Sequence, residues 1–123
     1  MRQEFFDNML KKGVFEMEIR LLKQNSCLTA YLSGEIDHHN AKRAREELDK
    51  VIAEEAPIRF LLDLSGVSFC DSSGLGLIMG RMKKCTSVGS VLVVKNPSAA
   101  TEKILEIAGI DRIIKIERGV LNG

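Results

Sequence analysis

Six consecutive residues, Asp71-Ser72-Ser73-Gly74-Leu75-Gly76, put two hydroxyls, a carboxylate and two glycines between an apolar run and a helical pattern. α/β folds carry their working side chains at such strand-to-helix junctions. Four chemistries would use the segment. The simplest is helix capping, in which Ser72 or Ser73 accepts a hydrogen bond from a free N–H of the first turn. One serine satisfies that need, so the second hydroxyl and the glycines call for a further reason.

A hydrolase elbow sets glycines two residues either side of its nucleophile. Cys70 and Gly74 flank Ser72 in this way, and Asp71 and Leu75 flank Ser73, so neither serine fits. A triad also needs a histidine held by a carboxylate, and His38 and His39 have no identifiable carboxylate paired with them. A dinucleotide loop reads Gly-x-Gly-x-x-Gly. Gly74 and Gly76 supply its first two glycines, but Met79 stands at the third position and Gly80 comes one residue late. Lys95-Asn96 stands where the next strand should end in an acid, and no Walker-type Lys-Ser/Thr pair is present. Weak nucleotide binding through Gly74–Gly76 stays open as the alternative from another class.

The fourth chemistry is a phosphorylation switch. A hydroxyl in the first turn of a helix is open to a kinase, and free N–H groups and the helix dipole stabilise the added phosphate. The new charge of about −1.5 to −2 would lie beside Asp71 and oppose burial in a protein interface. The glycines would admit a partner close to the backbone, and Leu77, off the expected core stripe, would be free to join the contact. His38 and His39 read as surface polar residues. Adjacent helix positions diverge by about 100° and no third ligand is visible, so no metal is expected.

The elements that must position this segment follow from periodicity. Phe15, Met17, Ile19 and Leu21 alternate with Glu16, Glu18 and Arg20, as in a strand with one wet face. After the turn Lys23-Gln24-Asn25, Leu28, Ala30 and Leu32 form a second alternating run, and the two make an antiparallel hairpin. Gly34-Glu35-Ile36-Asp37 breaks the strand, with Asp37 as N-cap of an amphipathic helix over 38–54 that carries Ala41, Ala44, Leu48, Val51 and Ile52. Ile58–Leu64 reads as a strand covered on both faces, and Ser65–Asp71 as a loop. The next helix starts at Ser72 or Ser73 with Leu75, Ile78, Met79 and Met82 inward. Val91–Val94 is a buried strand. Asn96-Pro97-Ser98 opens a helix that Gly109 stops with Ile110 closing the cap, and a last strand runs from Arg112 to Glu117. The order β-β-α-β-α-β-α-β demands parallel pairing with right-handed crossovers in a single α/β domain with a mixed sheet.

Composition agrees. The 123 residues are 45% hydrophobic and 28% charged with net charge +1, which suits one soluble core and gives no general attraction to nucleic acid or membrane. Lys42-Arg43 and Arg81-Met82-Lys83-Lys84 read as solvated helix faces. Three cysteines without CxxC spacing give neither a disulfide framework nor a zinc site, and Cys70 and Cys85 read as small buried hydrophobes. No apolar run is long enough for a membrane span and no signal peptide is visible, so a cytoplasmic location is expected. Residues 1–14, with Phe5, Phe6, Met9 and Leu10 on one side, read as an N-terminal extension, helical or disordered, ahead of a domain over 15–123.

Gly34-Glu35-Ile36-Asp37-His38-His39, Leu62-Asp63-Leu64, Phe69-Cys70-Asp71-Ser72-Ser73-Gly74-Leu75-Gly76 and Gly80-Arg81-Met82-Lys83 together resemble the STAS-domain anti-sigma factor antagonist family. The Asp-His-His and Gly-Arg-x-Lys segments look most like its sporulation members. The likeness covers roughly 15–117. It implies a STAS fold and a non-enzymatic role. Unphosphorylated protein would bind an anti-sigma factor that is also a serine kinase, and so release the sigma factor. That kinase would phosphorylate Ser72, the first serine after the aspartate, and a serine phosphatase would reverse it. Ser73 would be the helix-capping neighbour, and the loop from Gly34 to His39 would lie beside Ser72. Asp37, Asp71, Ser73, Gly74, Leu75, Gly76 and Leu77 are the expected partner-binding residues, and no cofactor is implied. A stress-response partner instead of a sporulation one is the alternative within the family. Two departures stand out: residues 1–14 precede the usual start, and a longer C-terminal helix is missing.

Overall fold

A computed structural model describes residues 17–119. The expected extension over 1–14 lies outside the described residues. The elements are β1 (Glu18–Gln24), β2 (Cys27–Ile36), α1 (Ala41–Glu55), β3 (Arg59–Cys70), α2 (Ser72–Ser87), β4 (Val91–Lys95), α3 (Ala99–Ile107), a 3-10 turn (Ile110–Arg112) and β5 (Lys115–Glu117). None of the described helices is long and apolar enough to cross a membrane.

The sheet has the spatial order β1-β2-β3-β4-β5. β1 and β2 form the expected antiparallel hairpin, with Leu21 opposite Ala30, and each later pair is parallel. When every crossover steps to the next strand with the same right hand, all the helices fall on one face. The core bears this out. Leu28, Ala30 and Leu32 of β2, Phe60, Leu62 and Leu64 of β3, and Leu92 and Val94 of β4 bury against Ala44, Leu48 and Ile52 of α1, Ile78 and Cys85 of α2, and Leu105 of α3. The face of β3 away from the helices is covered in part: Leu61 is half-buried, its cross-strand partner Val93 and Asp63 two residues on are buried, and Ile58 is exposed. β1 is an edge strand. Met17 is buried and Ile19 half-buried, but Leu21 is exposed although it belongs to the apolar side of the alternation.

Two segments expected to be irregular are strand. Gly34–Ile36 extends β2 and Ser65–Cys70 extends β3, and they pair with each other through register shifts, Ser33 with Gly66, Gly34 with Val67 and Ile36 with Cys70. Neither segment alternates cleanly, because bulges move side chains between faces. Gly34 absorbs one shift with φ of +94°. At the other end of the chain, Ser98 caps α3 by accepting from the Thr101 N–H at 3.1 Å. Gly109 follows that helix with a left-handed backbone, and Ile110 buries behind it.

Candidate functional site

The paired extensions of β2 and β3 end side by side. Ile36 pairs with Cys70, and the Asp71 N–H donates to the Ile36 carbonyl at 3.3 Å, so the chain leaves the sheet at Asp37 and Asp71 from neighbouring strands. Distant residues of the expected site thus meet at one edge of the molecule.

Asp71 caps α2. Its Oδ1 accepts from the Ser73 N–H at 2.8 Å. The expectation that Ser73 caps the helix is corrected: the carboxylate one residue before Ser72 already satisfies the free N–H, and Ser73 sits inside the first turn. Ser72 is exposed at the first helical position and Ser73 is half-buried. Among the described residues no side chain takes up the Ser72 hydroxyl. Asp37 has a similar local task. Its Oδ1 accepts from the His39 N–H at 2.9 Å and the Asn40 N–H at 3.3 Å, while its carbonyl accepts from the Ala41 N–H at 3.0 Å. The carboxylate therefore caps a turn over 37–40 that leads into α1. Asn40 braces the turn by donating its Nδ2 to the Glu35 carbonyl at 2.6 Å.

The glycines divide. Gly74 is buried, and a Cβ there would lie 2.0 Å from the Cys70 Sγ, so this glycine serves the close approach of α2 to β3 and offers no backbone to a partner. Gly76 is exposed, and a Cβ there would meet nothing within 4 Å. Leu77, expected to be free for a partner, is 4% exposed and belongs to the core. The inward face of α2 runs through Gly74, Leu77, Ile78, Arg81 and Cys85, while Leu75, Met79 and Met82 are only partly buried. The helix is rotated from the face that its methionines suggested.

That rotation buries Arg81, which the sequence placed on a solvated face. Its side chain is 5% exposed and its Nε stands 2.8 Å from Asp49 Oδ1 on α1. Nη2 donates to Asp49 Oδ2 and Nη1 to the Leu77 carbonyl, each at 3.3 Å. Burial lowers the guanidinium pKa, and Asp49 opposes that shift. Burial also pushes the Cys70 thiol up to about 11, with Asp71 adding to the shift.

Two features at the site had no reading as functional. Phe69, in the segment taken for a loop, is half exposed two residues before the Asp71 cap. Lys42 and Arg45 of α1 line a cleft with His38, Ser73, Gly76 and Arg81. An aromatic between two turn-like segments was the only signal for the first; no local pattern reports the second.

The family model for the STAS domain matches residues 18–121. The anti-sigma F factor antagonist of Lysinibacillus sphaericus is 32% identical, over 75% of this chain and 86% of its own length. The unphosphorylated anti-sigma factor antagonist SpoIIAA superposes with TM-score 0.70 at 27% identity, covering 80% of this chain and 87% of its own. Phosphorylated SpoIIAA, a Bacillus cell fate determinant, superposes with TM-score 0.65 at 27% identity, covering 80% and 90%.

Proposed function

The chain belongs to the STAS domain family, and we propose that it is an anti-sigma factor antagonist that phosphorylation of Ser72 switches off. In the unphosphorylated state it binds an anti-sigma factor, which frees the sigma factor. The anti-sigma factor is also the serine kinase, a serine phosphatase restores the active form, and the exchange takes place in the cytoplasm. The chain is the substrate of this chemistry, not its catalyst.

One observation carries the reading. Asp71 takes the cap of α2, so the exposed Ser72 hydroxyl is left free at the helix start. A phosphate there meets the positive end of the helix dipole and need not break the fold. The same phosphate is costly once a partner covers it. Phe69 and Ser72 are both exposed where β3 gives way to α2, beside the end of β2 that leads into the 37–40 turn, and this mixed surface suits a protein interface. A hundredfold loss of affinity corresponds to about 2.7 kcal/mol, which a doubly charged group without a partner in a desolvated contact supplies.

The site is tested by incubating the protein with the anti-sigma kinase and ATP and mapping the product by mass spectrometry. One phosphoryl group on Ser72, and none on Ser72→Ala, is the expected result. Loss of all labelling in Ser73→Ala, with Ser72→Ala still labelled, would reverse the assignment.

A further inference from the structure

Between α1 and α2 lies an open cleft of about 330 Å³, lined by His38, Ala41, Lys42, Arg45, Ser73, Gly76, Leu77 and Arg81. Its charge is one-sided. Lys42 and Arg45 stand exposed on its α1 wall and Arg81 is buried in its α2 wall, while no lining residue among those described is acidic. Asp49 neutralises Arg81 at 2.8 Å, so Lys42 and Arg45 carry the net charge of the cleft. Ala41, Gly76 and Leu77 supply a small, apolar part of the lining.

Among the described residues, none packs where a side chain at Gly76 would stand. Glycine inside a helix costs about 1 kcal/mol relative to alanine, and a Cβ at Gly76 would meet nothing. What the missing side chain does is keep the cleft wall low. Gly74, two residues earlier, differs in this respect, since the Cys70 Sγ requires it.

We propose that this cleft is a second docking subsite, taking an acidic segment of the anti-sigma factor that covers Ser72; the proposal rests on the function proposed above. The apolar lining suits the methylene stem of a glutamate and the cationic rim its carboxylate, with Gly76 admitting the segment to the helix backbone. A lone oxyanion would gain little here, because the Ser73 N–H is already given to Asp71 and the Arg81 guanidinium to Asp49. Ser73 then faces the subsite, and Ser72 the exposed surface beside it.

The test measures association and dissociation rates on purified, immobilised anti-sigma factor at several salt concentrations for four proteins: wild type, Lys42→Glu/Arg45→Glu, Gly76→Leu and Ser72→Asp. Exposed charges at an interface act mainly on association and its salt dependence. The double charge reversal should slow association about tenfold at low salt and flatten its salt dependence. Gly76→Leu should fold, since no described residue occupies the space, and bind at least about tenfold more weakly by filling the cleft. Thermal unfolding of both variants should match or exceed that of wild type. Wild-type rates in both cleft variants, with Ser72→Asp weakened, would overturn the subsite and leave the Ser72 reading standing. Wild-type binding by Ser72→Asp would remove the reading on which the subsite rests, and the subsite with it.

Discussion

A methyl group added at Gly74 would come within 2.0 Å of the Cys70 Sγ, and both residues are buried. Gly74→Ala should therefore cost about 1–3 kcal/mol by overpacking, despite alanine's better helix propensity. Cys70→Ala removes the obstructing sulfur, so the double variant should recover most of that loss in urea denaturation. Strictly additive effects would show that the contact does not set the cost. The thiols give a pH test. Burial raises Cys70 and Cys85 to about 11 from an unfolded value of 9.0. The unfolded chain then loses these protons first, so their contribution to stability is present below pH 9.0 and is lost as pH rises through about 11. Replacing both with alanine should flatten the alkaline decline in unfolding free energy. At this scale the strand-to-helix junction at Asp71–Gly76 was legible from its residue types and only the family resemblance singled out Ser72, while the identity of the cap was not legible. Asp71, Ser72 and Ser73 are all good capping types, and the direction in which β3 delivers the chain decides among them.

Among the elements, α1 and α2 are joined by the Asp49–Arg81 pair as well as by apolar packing. Removing one partner of a buried pair typically costs 3–5 kcal/mol; Asp49 is about a third exposed, so Asp49→Asn should cost less, about 1–3 kcal/mol. Equilibrium denaturation of Asp49→Asn beside Asp49→Leu/Arg81→Met checks this. A double variant as stable as wild type, with the single variant destabilised, is the expected pattern. The pair was invisible in the sequence because its members are 32 positions apart and Arg81 sits in an Arg-Met-Lys-Lys run that looks like a wet helix face. The extensions of β2 and β3 escaped detection for a related reason. Gly34–Ile36 and Ser65–Cys70 carry little strand pattern alone, and each is strand because the other satisfies its backbone.

For the whole molecule, the connectivity was readable because alternating βα units and right-handed crossovers leave few topologies. The meeting of Asp37 with Asp71 was expected only from the family resemblance; the fold produces it by ending β2 and β3 together. The cleft was not readable, since it depends on how α2 is rotated against α1, and the buried Leu77 shows how far that rotation departs from the expected stripe. In this account the scaffold stays fixed while one exposed hydroxyl gains or loses charge. Calorimetric titration of the anti-sigma factor with this protein, unphosphorylated and then stoichiometrically phosphorylated on Ser72, tests that claim most directly. The account predicts tight binding by the first form and an affinity at least about a hundredfold weaker for the second, with unchanged far-ultraviolet circular dichroism. Equal affinities for the two forms would contradict it.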